Sequence, residues 1–313
     1  MSGSKAKRER KARIFDAYAA NLSLGAPNFH NVFACPLCMT VYEKDALEKK
    51  ITEEHIISRK LGGQIFTLTC TQCNSQDGSS LDSHLINKFR TDDKLAGLSD
   101  DPFRGKLKVE GAEQSVDIYH TGASSSGFLI VGDPKRTNPK ALNTIQQALA
   151  KGTQEMSLSV KKDYIPRNVS VACIRAAYLL MFRYFGYEFI LQDNMVIVRE
   201  QIKNPESDLI ASRAVIKFND SPEIWNSISV INTPSDLRCF FVCLNFSTKI
   251  DRQLGVILPG FDAESKYIYD RWGSARDSLK GLSLGVTYFL PNPNAPIEYI
   301  YRGHVSFLWN SVK

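Results

Sequence analysis

The sequence lacks the long apolar runs that cross membranes. No stretch of its 313 residues approaches the roughly 18 apolar residues that a bilayer-spanning helix needs. The basic N-terminus is not followed by the apolar core of a secretory signal, so neither export nor membrane insertion is expected. Internal repeats are also lacking, and low complexity is confined to the basic N-terminal tract. We therefore predict a cytoplasmic protein without a membrane partner.

Neither sign of charge dominates the chain. Apolar residues make up 43% and charged residues 23%, with a formal net charge of +6, which is typical of a globular protein long enough for two domains. The charge is uneven, because residues 1–90 hold 13 Lys and Arg against 9 Asp and Glu, a net of +4. The basic part is therefore the N-terminal third.

Seven cysteines are present, and four of them form two Cys-x-x-Cys pairs, Cys35/Cys38 and Cys70/Cys73. Two such turns provide the closed set of four thiolates that a structural zinc ion accepts. The 31 residues between the pairs exceed a zinc-ribbon spacing, so the insert must have structure of its own. A redox pair is a weaker interpretation, because no βαβ pattern surrounds either turn. We predict structural zinc.

The segment between the pairs carries a linked set of motifs. Glu54-His55-Ile56-Ile57 is followed by Leu61-Gly62-Gly63, by a second apolar run over 65–69, and by Asn74 directly after Cys73. In this order, these motifs resemble the HNH endonucleases of the zinc-bound ββα-metal type. The resemblance covers about residues 32–90, and it implies a metal-dependent enzyme that hydrolyses phosphodiester bonds of DNA by nicking or by double-strand cleavage.

The chemistry of that reaction explains the residue types. Hydrolysis needs a water deprotonated near neutral pH, and the ordinary pKa of histidine suits this task. The anionic transition state needs a hard divalent cation held by few protein oxygens. By resemblance, His55 is the general base, and Glu54 and Asn74 hold a catalytic Mg²⁺ or Mn²⁺. The family analogy also implies restriction or anti-phage defence.

One departure from the HNH motif leaves alternative functions open. HNH endonucleases commonly place an Asn shortly before the second cysteine pair, whereas residues 64–69 read Gln-Ile-Phe-Thr-Leu-Thr. Gln64 or a backbone carbonyl could brace His55 instead. The alternatives are a catalytically inactive zinc-containing module that binds nucleic acid, in which Asn74 caps a helix beginning after Cys73, and an RNA-cleaving toxin.

Basic residues cluster at the N-terminus and beside the motif. We expect Arg13 to Leu22 to form a helix packed on the zinc module, because its apolar residues have helical spacing. Such a basic arm could neutralise phosphates without reading sequence, or it could be a solvated, frayed terminus. The candidate nucleic-acid-binding residues are Lys5, Lys7, Arg8, Arg10, Lys11, Arg13, Arg59 and Lys60.

The predicted fold class is α+β. A basic arm and nuclease domain would occupy residues 1–93, a polar linker 94–105, and a larger, mixed but β-rich domain 106–313 for recognition or regulation. We expect this last domain to recognise a nucleic acid, an activating protein or a small signal that controls cleavage, and the oligomeric state is left open. Helices are predicted at 141–150 and 168–187, and strands at 106–110, 115–120, 127–131, 189–191, 195–198, 214–218, 228–231, 239–246, 255–258, 284–289 and 297–301.

Overall fold

The computed structural model of this chain describes residues 2–121, 127–132, 135–136, 138–152, 155–217, 226–276, 284–289, 296, 299–301 and 304–310. Its contacts divide the chain into two compact units. The first comprises Met1–Leu85, Pro166–Ser247 and Asp251–Lys313, and the second comprises Ile86–Ile165 and Thr248–Ile250. Among the described residues, no helix combines the length and apolarity required to span a membrane.

The chain mixes helices and antiparallel strands, as predicted. The helices are α1 (Ser2–Gly25), α2 (Leu47–Lys50), α3 (Thr71–Leu95), α4 (Pro139–Ala150), α5 (Pro166–Phe185), α6 (Tyr187–Ile190), α7 (Val196–Lys203), α8 (Ala211–Ala214), α9 (Ile268–Arg276) and α10 (His304–Asn310). The strands are β1 (Val32–Ala34), β2 (Val41–Glu43), β3 (Ile51–His55), β4 (Phe66–Cys70), β5 (Phe103–Val109), β6 (Ala112–His120), β7 (Phe128–Gly132), β8 (Met156–Val160), β9 (Val215–Lys217), β10 (Ser227–Thr233), β11 (Cys239–Ser247), β12 (Asp251–Leu258) and β13 (Gly285–Phe289).

Two short hairpins, β1–β2 and β3–β4, form the motif region of the first unit. Helix α1 packs beside them and buries Ile14, Phe15, Tyr18 and Leu22, whose spacing places them on one helical face. The Tyr18 hydroxyl lies 2.6 Å from the hydroxyl of Thr67 in β4. The predicted helix at 13–22 is therefore confirmed, and it begins earlier, so that it includes the basic arm.

Helix α5 lies in the core of the first unit, and every residue from Val171 to Phe185 is buried. It packs on β11 and β12 of a five-stranded antiparallel sheet with the order β13-β10-β11-β12-β9. A helix that is apolar on nearly all faces is expected in such a place. Its prediction from sequence is confirmed.

Two predicted strands are wrong. Residues 189–191 and 195–198 fall in and around the helices α6 and α7, where Val198 and Ile202 are buried four residues apart. A short apolar run has no periodicity that separates a strand from one turn of buried helix, which explains the error. The predicted strand at 297–301 lies partly outside the described residues, and its described part, 299–301, is not a strand.

The second unit is a four-stranded antiparallel sheet with the order β7-β6-β5-β8. Helix α4 covers one face, where its Ile145 and Ala148 pack with Leu107, Val109 and Val116. The strand β8 was not predicted. The predicted linker at 94–105 overlaps the end of α3 and the start of β5. The functional division into 1–93 and 106–313 stays a prediction.

Candidate metal centre and nucleic-acid cleft

The first cysteine pair lies in a tight turn after β1. The Cys35 amide donates to the Thr40 carbonyl at 2.9 Å, and the Met39 amide donates to the Cys35 carbonyl at 2.8 Å. Met39 takes up a left-handed conformation with φ 61°. The second pair joins two elements, because Cys70 ends β4 and Cys73 lies in the first turn of α3.

The four thiols converge on one point. Their Sγ atoms all lie within 4.8 Å of one another, and the Cys38 and Cys70 sulfurs are 3.8 Å apart. Four sulfurs bonded to zinc at about 2.3 Å form a tetrahedron with edges of about 3.8 Å. The distances therefore fit a zinc ion without a change of fold.

Amide donors favour the thiolate forms at this centre. The Cys70 amide donates to the Cys35 sulfur at 3.3 Å, and the Cys73 amide donates to the Cys70 sulfur at 3.4 Å. A hydrogen bond with the Cys35 thiol is the main cause that lowers the pKa of Cys38 and Cys70, whereas the pKa of Cys35 is raised, mainly by its hydrogen bond with Cys38. Thiolates are the form that binds metal, so these four cysteines could hold zinc.

A cleft of about 440 Å³ opens beside the β3–β4 hairpin. Glu53 and His55 are two residues apart in β3, so their side chains project from the same face of the strand. The lining residues are Arg10, Glu53, His55, Arg59, Gly62, Gly63, Gln64 and Phe66. The hairpin thus brings the predicted base into the same cleft as two of the predicted basic residues.

The His55 imidazole meets an arginine in this cleft. The Arg59 Nε–H donates to His55 Nε2 at 2.8 Å, so Nε2 is the acceptor nitrogen and the neutral ring carries its proton on Nδ1. Burial is the larger cause that lowers the pKa of His55, and the nearby charge of Arg59 is the second. The imidazole is therefore neutral at neutral pH, with its basic nitrogen directed at a cation.

A second arginine reaches the cleft from α1. Arg10 donates through Nε and Nη2 to the two carboxylate oxygens of Glu53, at 3.0 and 2.8 Å. Its guanidinium lies 4.6 Å from the centre of the Phe66 ring. When His55 is neutral, the described lining of the cleft carries two positive charges, on Arg10 and Arg59, and one negative charge, on Glu53. The surface therefore suits an anionic ligand.

Glu54 lies on the opposite side of β3 and points into the core. Its side chain accepts from Arg175 of α5 at 2.7 Å, and the two residues are only 4% and 1% exposed. A second nitrogen of Arg175 lies 3.9 Å from Asp82 in α3. The structure therefore places Glu54 in a buried ion pair rather than in the cleft beside His55.

Asn74 lies within the first turns of α3 and is partly buried. Neither Asn74 nor Glu54 is among the described residues that line the cleft. The helix begins at Thr71, three residues before Asn74, so the alternative in which Asn74 caps this helix is wrong. Its proposed role as a metal ligand stays a prediction.

The Leu-Gly-Gly motif shapes one wall of the cleft. Gly62 has φ +80°, a backbone conformation that side chains with a Cβ rarely adopt. A Cβ on Gly63 would lie 1.8 Å from the Ile57 carbonyl oxygen. The two glycines therefore allow the chain to fold back closely behind the residues that carry His55 and Arg59.

The remaining basic candidates are not among the described residues that line the cleft. Lys7 lies 4.0 Å from Glu53, and Arg8 lies 3.7 Å from Glu48. Lys11 is buried, which lowers its pKa. Three more are exposed on the surface, namely Lys5, Arg13 and Lys60.

Sequence reasoning missed Glu53, Phe66 and Arg175. Strand parity could have found Glu53, because it stands two positions before His55. Phe66 is paired with His55 across the hairpin, and the hairpin register could have indicated it. The partner of Glu54 is 121 positions away, where no local signal exists.

Comparison with known proteins agrees with this description. No curated protein and no solved structure gives a significant match to the chain. A family model described as HNH endonuclease matches residues 30–90, which contain both cysteine pairs and the His55 hairpin. The resemblance noted over residues 32–90 is confirmed: the N-terminal third of this chain matches the HNH endonuclease family.

Proposed function

We propose that this protein is a metal-dependent endonuclease that hydrolyses phosphodiester bonds of DNA, with His55 as the general base. The observation that carries the proposal is the contact of His55 Nε2 with Arg59 in a cleft that also contains Arg10. Burial, and after it the charge of Arg59, lowers the pKa of His55 and so favours the neutral imidazole. A base must be unprotonated to accept a proton from water, and a substrate phosphate needs cationic partners.

Arg59 has two roles in this proposal. In the free protein, its Nε–H donates to the lone pair of His55 Nε2, and its charge is the second cause, after burial, that lowers the pKa of the ring. A backbone phosphate entering the cleft competes for the guanidinium, because hydrogen bonds between guanidinium and phosphate are stronger than those to a neutral nitrogen. Arg59 then turns to the phosphate, and Nε2 becomes available to the attacking water.

Arg10 and Glu53 also line the cleft. A divalent cation, when bound, would stabilise the negative charge of the transition state and lower the pKa of a bound water. Such a cation keeps several waters and needs few protein oxygens, and Glu53 offers a carboxylate on the cleft side. The resemblance assigns the cation to Glu54 and Asn74, yet Glu54 is buried against Arg175 on the face of β3 that points away from the cleft. Glu53 lines the cleft, where its carboxylate would exchange its ion pair with Arg10 for the cation. We therefore propose Glu53 as a cation ligand.

Two amide substitutions separate these assignments. Glu53→Gln should raise the magnesium concentration needed for half-maximal cleavage, because it removes the charge on the cleft side. Glu54→Gln should lower the melting temperature, because it leaves Arg175 without its buried counter-charge, and should leave the magnesium dependence unchanged. The reverse pattern would return the ligand role to Glu54.

The proposal is tested by incubating supercoiled plasmid with wild type, His55→Ala and His30→Ala in magnesium, manganese or EDTA. His30 is an exposed histidine outside the cleft, so His30→Ala controls for the loss of an imidazole. We expect metal-dependent nicked or linear product from wild type and His30→Ala, and none from His55→Ala. Equal product from His55→Ala would refute the assignment. A parallel digestion of RNA tests the alternative substrate.

The biological setting is proposed from the family resemblance alone. A restriction or anti-phage effector should reduce phage plaque formation in cells that express it, and His55→Ala should abolish that protection. The residues outside 30–90 would then supply recognition of DNA, of a partner or of a small activating signal. Unchanged plaque numbers with wild type would count against a defence role without affecting the nuclease proposal.

A further inference from the structure

Among the described strands, β8 is one of the two edges of the second unit's sheet. It pairs with β5 on one side and ends the strand order β7-β6-β5-β8. All five of its residues, Met156–Val160, are exposed. Edge strands are usually protected by charges, prolines or bulges, and the sequence Met-Ser-Leu-Ser-Val contains neither a charge nor a proline.

The backbone direction of β8 follows from one hydrogen bond. The Lys161 amide donates to the Arg104 carbonyl at 2.9 Å, so the residues that alternate with it, Ser157 and Ser159, also direct their backbone groups towards β5. The backbone amides and carbonyls of Met156, Leu158 and Val160 consequently point outward from the sheet. These groups can pair with a further strand.

The side chains of the same three residues form an apolar stripe. Leu158 is opposite Leu107, and Met156 is opposite Val109, so the stripe lies on the face that α4 covers over β5 and β6. The stripe itself remains open, with Met156 56%, Leu158 38% and Val160 36% exposed. The apolar face therefore continues to the edge of the sheet.

The sequence around Leu158 is self-complementary in an antiparallel arrangement. If Leu158 faces Leu158 of a second copy, Met156 faces Val160 and Ser157 faces Ser159. One step further out, the exposed Glu155 faces the exposed Lys161 of the other copy. Opposite charges that are directly cross-strand stabilise pairing. The charged pair, the apolar pairs and the outward backbone groups are therefore all compatible with the register in which Leu158 faces Leu158.

We propose that β8 is a dimer interface and that its partner is a second copy of this chain, paired antiparallel about a twofold axis at Leu158. Each of the three outward residue pairs then exchanges two backbone hydrogen bonds. The two four-stranded sheets become one continuous sheet, and the apolar stripes of both copies lie side by side on one face. The interface is isologous, as in most homodimers. It does not depend on the proposed nuclease activity.

The oligomeric state tests the proposal directly. Sedimentation equilibrium of the wild-type chain should show a reversible monomer–dimer equilibrium at micromolar concentrations. Leu158→Lys puts two like charges opposite each other at the axis, and it should abolish the dimer. Lys140→Glu changes an exposed charge in α4, away from β8, and should leave the dimer intact. A monomeric wild type, or a dimeric Leu158→Lys variant, would overturn the proposal.

Exchanging the charges of Glu155 and Lys161 tests the register, and both side chains are exposed. Glu155→Lys or Lys161→Glu alone should weaken dimerisation by about threefold to tenfold at low salt, because two like-charged cross-strand pairs replace two attractive ones. The double variant should return the dissociation constant to within about twofold of wild type, because it restores both pairs. Failure of the double variant to recover would rule out the interface around Leu158.

Discussion

At the scale of single residues, the protonation of His55 decides what the cleft can do. Burial and the positive charge of Arg59 both favour the neutral imidazole, so its pKa lies below the ordinary histidine value. A lowered pKa means that the proton is released at a lower pH, and the ring is unprotonated throughout the neutral range. A general base requires such a lowered pKa, because it must be unprotonated to accept a proton.

The contribution of Arg59 to this pKa can be measured without catalysis. In the absence of divalent cations, NMR titration should place the pKa of His55 below the ordinary histidine value. Arg59→Gln removes the neighbouring charge and should raise the pKa of His55. Lys60→Gln removes an equal charge from the next residue, which does not line the cleft, and should change the pKa less. Equal shifts from both variants would contradict the contact between Arg59 and His55.

Single-residue inference from the sequence succeeded where the motif was local. The four cysteines converge as their spacing predicted, whereas the contact of His55 with Arg59, four positions later, was not predicted. The carboxylate on the cleft side was not identified, because the choice between Glu53 and Glu54 depends on which face of β3 is buried. On the buried face, Glu54 pairs with Arg175, which comes 121 positions later in the sequence.

At the scale of elements, the two Cys-x-x-Cys turns bring the end of β4 and the start of α3 against the turn after β1. Cys70→Ser removes one of four thiolates, and structural zinc supplies a large share of the folding free energy in small zinc modules. We expect the variant to lose bound zinc and to melt at a lower temperature. Cys243→Ser, in β11 and outside the cluster, should keep its zinc. Full zinc content in Cys70→Ser, measured by elemental analysis, would contradict the four-thiolate centre.

The Gly62–Gly63 turn is the second element that positions the cleft. Gly63→Ala should lower the free energy of unfolding, by about 1–3 kcal/mol for a forced overlap in a packed region, because its Cβ would collide with the Ile57 carbonyl. Gly132→Ala meets no atom within 4 Å and serves as the matched control. Denaturant titration measures both variants, and equal stability of the two would argue against the close approach.

Elements with a strong periodic pattern were predictable, and short apolar runs were not. Helix α5 and the strands β5, β6, β10, β11 and β12 match their predictions closely. Residues 189–198 form helical turns because tertiary packing of Phe189, Ile190 and Val198 in the core outweighs their β propensity. Strand β8 was missed because Met-Ser-Leu-Ser-Val is short and weakly apolar.

At the scale of the whole molecule, the first unit combines distant parts of the sequence. Helix α5 belongs to the same compact unit as the motif hairpins, and the buried pair of Arg175 with Glu54 joins it to β3. No local pattern predicts such long-range packing, because it depends on the tertiary fold. The pair gives the residues outside 30–90 a direct physical connection to the strand that carries His55.

The central proposal is that the cleft binds DNA and that His55 is the general base for its cleavage. The decisive measurement determines, for wild type and His55→Ala, both the affinity for a DNA duplex and the rate of its cleavage with magnesium. Because the arginines remain in place, we expect the affinity of His55→Ala to stay within about threefold of wild type. Its cleavage rate should fall by about 10²- to 10⁴-fold, the usual contribution of general base catalysis. DNA bound by wild type without any metal-dependent cleavage, or cleavage by His55→Ala at the wild-type rate, would contradict the claim.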